Sequence, residues 1–195
     1  AGTTAAATLR KLNKDIKISL FSDERSVPYQ RPPLSKKTIF SDTQNYDLIL
    51  GKDFYDKNDI QLNLDSAVEE INPKQSYVRL NSKEIIEYDQ LIIATGTKGY
   101  KLNIPGGELA QTLYSINDAH KLANSIAKAK KIAVIGGGFI GCEIASGIQK
   151  LNKDVTLLET GPSILGRSVA PIFAESVSKI HHSQGIKILT NCKAL

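Results

Sequence analysis

The sequence predicts an α/β fold in which parallel strands alternate with helices, on three observations. The chain opens with a small-residue helix pattern, a strand-like alternation and an acid. A second run of strand, glycine turn, helix, strand and acid extends from Lys131 to Glu159, and short turn-separated strands lie between the two runs. A helix, a strand and an acid in that order make the back half of a βαβ unit of the kind that binds a dinucleotide.

Ala1–Leu12 reads as a helix of small residues followed by Leu9 and Leu12, and Ile16-Lys17-Ile18-Ser19-Leu20-Phe21 as a strand ending at Asp23. Read locally, Ala1–Leu12 is equally a plain helix near a terminus, because half a glycine fingerprint is unspecific. Pro28, Pro32 and Pro33 set an extended approach to a helix start, since proline fits a first helical turn and breaks what precedes it. A short helix is predicted over Phe54–Asn58. Short strands are predicted over Ile60–Leu62, Ala67–Ile71, Tyr77–Leu80, Glu84–Glu87 and Gln90–Ile93, with turns at Asn72-Pro73-Lys74 and Asn81-Ser82-Lys83. Pro105-Gly106-Gly107 marks the expected domain boundary. Beyond it the pattern predicts helix Asn117–Ala127, strand Ile132–Ile135, helix Phe139–Lys150, strand Val155–Leu158, helix Pro171–Ser183 and strand Ile186–Leu189.

Composition narrows the classes. The 195 residues are 41% hydrophobic and 23% charged, which suits one large or two small globular domains and excludes a disordered polyelectrolyte. The longest uncharged run, Ile132–Cys142, is cut by Gly136-Gly137-Gly138 and falls short of the roughly 20 apolar residues of a membrane span. A net charge of +5 favours acidic partners without requiring one, and nucleic acid is not expected, because aromatics are 6% and no basic block is interleaved with them. Cys142 and Cys192 cannot form a CxxC pair, a zinc cluster or a disulfide framework, so a reducing, cytoplasmic setting without a secretory leader is expected. The composition leaves the oligomeric state open.

The most specific local signal is Ile135-Gly136-Gly137-Gly138-Phe139-Ile140-Gly141-Cys142-Glu143, a full GxGxxG between a β-branched strand and an apolar-periodic helix. Gly136 permits the tight turn, Gly138 lets a pyrophosphate approach the backbone, and Gly141 lets the helix pack on the strand. The helix start at Phe139, Ile140 and Gly141 offers free N–H groups and the positive end of the dipole to phosphates. Strand Val155–Leu158 delivers Glu159, an acceptor for adenosine ribose hydroxyls whose charge would repel a 2′-phosphate and so points to NAD over NADP. At the chain start, a glycine before Ala1 would complete a second phosphate turn with Gly2, Thr3, Thr4 and Ala5, and there is no methionine in the sequence. A strand upstream of this span is therefore expected.

Three runs occur in order: Val27-Pro28-Tyr29-Gln30-Arg31-Pro32-Pro33-Leu34-Ser35-Lys36, Tyr88-Asp89-Gln90-Leu91-Ile92-Ile93-Ala94-Thr95-Gly96, and the glycine turn through Glu143. With them the chain resembles, along essentially its whole length, the FAD-dependent pyridine nucleotide oxidoreductases of the ferredoxin and rubredoxin reductase type. The resemblance implies two Rossmann-like dinucleotide-binding domains in a three-layer FAD/NAD(P)-binding fold, the NAD domain inserted in the FAD domain. Residues 1–105 would form the FAD part, without its first strand and its C-terminal return segment, and residues 106–195 part of the NAD domain. The resemblance implies FAD contacts from Gly2, Thr3, Thr4, Ala5, Asp23, Glu24, Arg31, Lys36, Val68, Ala94, Thr95 and Gly96. It implies NAD contacts from Gly136, Gly138, Phe139, Ile140, Gly141, Glu143, Glu159, Thr160 and Arg167. Tyr114 stands where many relatives carry an arginine near the FAD, and the run around it is closer to rubredoxin reductases.

The implied activity is hydride transfer from NADH to FAD and then single electrons to a ferredoxin or rubredoxin. The region after the first helix and strand holds no cysteine, so no thiol relay is available. The resemblance brings Lys36 and Glu143 together as the catalytic pair beside the flavin. Locally, Lys36-Lys37 also reads as a solvated pair, Glu143 as a first-turn acid favoured by the helix dipole, and Asp23 as a turn residue. Cys142 reads as a small buried residue, His181-His182 as residues on the polar stretch of a late helix, and the lysines at 121, 128, 130 and 131 as a solvated face. A flavin- and NAD-binding signalling protein resembling apoptosis-inducing factor is the alternative from another class.

Overall fold

Parallel strand pairs form in both parts of the chain where the alternation predicts them. In the computed structural model, which describes residues 1–40 and 46–194, the chain divides into two compact units. One comprises Ala1–Gln30 and Asp47–Lys98, the other Arg31–Tyr46 and Gly99–Leu195.

In the first unit, helix α1 (Gly2–Leu12) leads to strand β1 (Ile18–Phe21), and the short helix α2 (Phe54–Lys57) leads to β2 (Ile60–Asn63). β1 and β2 run parallel, from Ile18↔Ile60 to Phe21↔Asn63. The strand begins at Ile18 rather than Ile16 because the pairing with β2 begins there. Ala6, Tyr55 and Ile60 form the buried centre, with Ile18, Leu20, Val27, Phe54 and Leu62 packed around it. Arg10 closes the ends of both helices, donating from Nε to the Asn58 carbonyl at 2.7 Å and from its terminal nitrogens to those of Lys14 at 2.6 Å and Asp59 at 2.8 Å. Those carbonyls lie where helical bonding has run out.

An antiparallel meander follows: β3 (Val68–Asn72), β4 (Tyr77–Leu80) and β5 (Ile85–Glu87), with a register shift between Val68 and Glu70. The strand predicted over Gln90–Ile93 does not form. The segment has no ladder partner among the described residues, and Ile92 and Ile93 are 57% and 64% exposed. Apolar pattern specifies an extended backbone, whereas a strand also needs a neighbour for its N–H and C=O groups.

In the second unit the proline run becomes a 3-10 turn, Pro32–Ser35, followed by another at Thr38–Phe40. Helix α3 (Ile116–Lys128) starts in a capping box, Ser115 accepting from the Asp118 N–H and Asp118 from the Ser115 N–H. At its other end Lys153 Nζ donates to the carbonyls of Ala127 and Ala129. Strands β6 (Lys131–Ile135), β7 (Asp154–Leu158) and β8 (Lys187–Leu189) form a parallel sheet in that order. Helix α4 (Phe139–Gln149) connects the first two, and α5 (Pro171–Ser183) precedes the third. Ile148, Leu157, Ile164 and Ile186 are the largest apolar side chains buried here beside Ile116.

Candidate dinucleotide-binding site

The second unit presents a turn between β6 and α4 that only glycines can make. Gly136 has φ +104°, a conformation that residues with a side chain avoid. A Cβ on Gly141 would lie 1.9 Å from the Gly136 carbonyl oxygen, so the helix reaches the turn only because residue 141 has none. Around Gly136 and Gly138 the space that a Cβ would take is open. Gly138 caps α4 with no side-chain hydrogen bond, so the helix start carries N–H groups that no side chain covers, with Phe139 and Ile140 exposed beside it.

Glu159, at the end of β7, is buried against this turn. Its Oε2 accepts from the Gly137 N–H at 2.8 Å; its Oε1 accepts from the Gly161 N–H at 2.7 Å and from the Thr160 hydroxyl at 3.2 Å. Burial alone would raise this carboxyl, but the backbone donors of Gly161 and Gly137, the Thr160 hydroxyl and the charge of Arg167 together hold it below the usual carboxylate range. Glu159, Thr160 and Arg167 are thus brought to one anionic anchor. Gly137, the middle glycine, is a residue the fingerprint does not single out. A Cβ there would sit 2.8 Å from Ile164 Cγ2 and 3.0 Å from Glu159 Oε2. Its signal in the sequence is a glycine between the two of the fingerprint, in a position where the pattern allows any residue.

Glu143 lies on α4 and meets the proline-rich segment. Lys36 Nζ approaches its Oε2 at 3.1 Å, and the Ser35 hydroxyl donates to the same oxygen at 2.5 Å. Gly147, four residues on and on the same face of α4, receives the Phe40 ring, whose Cε2 lies 2.0 Å from where a Cβ would be. Ser35–Phe40 is thereby laid along one face of α4. Lys36 and Glu143 are 55% and 34% exposed, so their pairing contributes only about 0–1 kcal/mol to stability. Arg31 is held by Tyr114: its guanidinium stands 4.4 Å from the ring centroid and donates to the Tyr114 carbonyl at 2.6 Å.

The remaining candidates lie in the first unit. Gly2, Thr3, Thr4 and Ala5 form the first turn of α1, which has no side-chain cap, and a Cβ on Gly2 would touch the Ala94 methyl at 3.4 Å. Asp23 is exposed past the end of β1, while Glu24 accepts from the Tyr29 hydroxyl at 2.6 Å. Val68 begins β3 at the register shift, and Ala94-Thr95-Gly96 turns at Gly96 with φ +69°. The structure therefore groups the predicted residues in two sets, one in each unit.

The sequence also singles out Cys142 and the adjacent pair His181-His182. Cys142 is buried and its thiol is pushed up to about 11, by desolvation first and then by the charges of Glu159 and Glu143. It is an inert packing residue. His182 is exposed as predicted, but His181 is not on a polar face. It is buried, with Nδ1 3.0 Å from the Val177 carbonyl and Nε2 3.1 Å from the Cys142 carbonyl, because α5 turns that side toward α4. No cluster of metal-ligating side chains occurs among the described residues.

Known proteins are similar to this chain in sequence and fold. The family model described as pyridine nucleotide-disulphide oxidoreductase matches residues 1–195. The chain is 38% identical over 189 residues to terpredoxin reductase of a Pseudomonas species, covering 96% of this chain and 46% of that protein. It is 34% identical over 196 residues to rubredoxin-NAD(+) reductase of Pseudomonas putida, covering 99% and 51%. A solved ferredoxin reductase from Rhodopseudomonas palustris has a TM-score of 0.93 at 28% identity, over 99% of this chain and 48% of its own. The chain spans about half the length of these proteins. A match over every residue, at a glycine turn and an acid whose geometry requires those residue types, makes this chain a member of the pyridine nucleotide-disulphide oxidoreductase family.

Proposed function

We propose that the protein takes part in an NADH-dependent reductase that uses FAD and delivers electrons to a small iron–sulfur protein or rubredoxin. The observation that carries this reading is the glycine turn with its buried, ionised Glu159. The open space at Gly136 and Gly138 and the uncovered N–H groups of α4 fit a pyrophosphate. The uncapped first turn of α1, with exposed Asp23 beyond β1, has the same chemistry and suits the flavin's adenosine half. The names of the relatives, a terpredoxin reductase and a rubredoxin-NAD(+) reductase, support the class of acceptor.

When bound, FAD and NADH supply the hydride transfer and the single-electron steps. The chain's residues bind and orient. Residues 1–105 serve the flavin and residues 106–195 the nicotinamide dinucleotide. Gly2, Thr3, Thr4 and Ala5 would hold phosphate, Asp23 and Glu24 the ribose, and Val68 and Ala94–Gly96 would serve the flavin nucleotide. Arg31, fixed by Tyr114, offers a guanidinium to the flavin. Gly136, Gly138, Phe139, Ile140 and Gly141 receive the second pyrophosphate, while Glu159, Thr160 and Arg167 take the adenosine end. Glu159 repels a 2′-phosphate, so NADH is preferred to NADPH. Lys36 would offer the flavin a positive charge, and Glu143 holds that ammonium at 3.1 Å.

No helix among the described residues is long and apolar enough to cross a membrane, and both cysteines are free thiols, which suits a cytoplasmic, reducing setting. The test is an anaerobic visible spectrum of the flavin-loaded protein before and after NADH, with NADPH as control and a rubredoxin or ferredoxin added last. Bleaching by NADH at far lower concentration than by NADPH, followed by rapid reoxidation by the acceptor, is expected. Equal bleaching by both would remove Glu159 from its role. A slow reaction without acceptor turnover would favour a signalling protein.

A further inference from the structure

Gly137 lies between two glycines with open space around them, and the stretch after β7 grips it from three sides. Its N–H donates to Glu159 at 2.8 Å, and its carbonyl accepts from the Leu165 N–H at 2.7 Å. Ile164 Cγ2 packs where a Cβ would stand. Leu165 is the unusual member of this stretch. Its φ is +56°, in the left-handed region that a bulky side chain avoids. The other non-glycine residues of positive φ among those described are polar: Asp59, Asp65, Ser76, Lys83, Asn152 and Asn191. Leu165 is apolar and only 6% exposed.

The angle decides which hydrogen bonds the loop can make. Rotation about φ sets the peptide carrying the Leu165 N–H against the peptide carrying its carbonyl. With φ left-handed, the N–H faces Gly137 while the carbonyl accepts from the N–H groups of Ser168 at 2.8 Å and Val169 at 3.1 Å. A right-handed φ would swing one of these peptides away. Burial of the Leu165 and Ile164 side chains holds the backbone there against its own preference. We propose that Leu165 is a positioning residue that presets the glycine turn for its ligand. Through Gly137 it fixes the turn in the shape that leaves Gly136 and Gly138 open, so binding has no loop to order. This rests on the NAD-binding reading of the second unit.

Alanine and glycine at residue 165 separate backbone from packing. Both lose the buried side chain, but alanine still resists the left-handed φ, whereas glycine adopts it freely. Calorimetric titration with ADP-ribose is expected to show Leu165→Ala binding about three- to tenfold more weakly than the unaltered protein. Leu165→Gly should recover most of that loss, although it removes more of the side chain. Hydrogen exchange without ligand should follow the same order. The residue 165 amide should be protected in the unaltered protein and in Leu165→Gly, and open in Leu165→Ala. Glycine binding no better than alanine would assign Leu165 to packing and overturn the proposal. Recovery of stability in urea without recovery of affinity would overturn it too. So would an unprotected residue 165 amide in the unaltered protein, whether or not the variants fold. If the unaltered protein bound no ADP-ribose, the reading of the turn as a dinucleotide site would fall, and this proposal with it.

Discussion

Glu159 shows how one carboxylate sets both a contribution to stability and its pH dependence. Its folded carboxyl titrates below the unfolded value of about 4.3, despite burial, because backbone N–H groups face it from Gly161 and Gly137. As pH falls, the unfolded chain takes up the proton first. The stabilisation is therefore complete above the unfolded value and is lost as pH drops through the folded one. Glu159→Gln places an amide where two backbone donors need an acceptor and is expected to cost about 1–3 kcal/mol near neutrality. Urea unfolding across pH should show the gap between the two proteins narrowing in acid. Parallel curves would mean that Glu159 does not carry the linkage. Glu159 was legible from its spacing after the glycines, since a strand of known length must deliver an acid there. Gly137 was not, because its need for a bare Cα comes from Ile164, a residue the fingerprint does not include.

At the scale of elements, local pattern located helices and strands that bury their own faces, such as α5 at Pro171–Ser183 and β4 at Tyr77–Leu80. It failed where an element depends on a distant neighbour: Gln90–Ile93 lacks a ladder partner, and His181 is buried by α4. The Ser35–Glu143 contact spans 108 positions, so no local pattern could announce it. α4 illustrates the cost of such a contact. Gly→Ala inside a helix ordinarily gains up to about 1 kcal/mol. At Gly147 the new methyl would lie 2.0 Å from Phe40 Cε2, so Gly147→Ala is expected to destabilise by about 1–3 kcal/mol. With Phe40→Ala beside it the obstacle is gone, and the same substitution should become stabilising. Urea unfolding of the four proteins measures the sign. A Gly147→Ala change that stabilises with Phe40 intact would disprove the packing.

The residues proposed to bind are distributed over two units, each with its own core. Ala6, Tyr55 and Ile60 centre the first unit; Ile148, Leu157, Ile164 and Ile186 lie in the second. A ligand stabilises the residues whose opening destroys its site, by about 2.7 kcal/mol at one hundred times its Kd. On the proposed reading, ADP-ribose uses the β6–α4 turn and Glu159 and nothing from the β3–β5 meander. Hydrogen exchange with saturating ADP-ribose should therefore slow in backbone amides of residues 131–161 and stay unchanged in residues 68–87. Slowing in both stretches would show that the meander opens only together with the glycine turn, so that the two cores share one cooperative transition. Slowing in neither would remove the glycine turn from the binding site. The selective pattern is the expected one, because among the described residues every donor and acceptor assigned to the adenosine end belongs to the second unit.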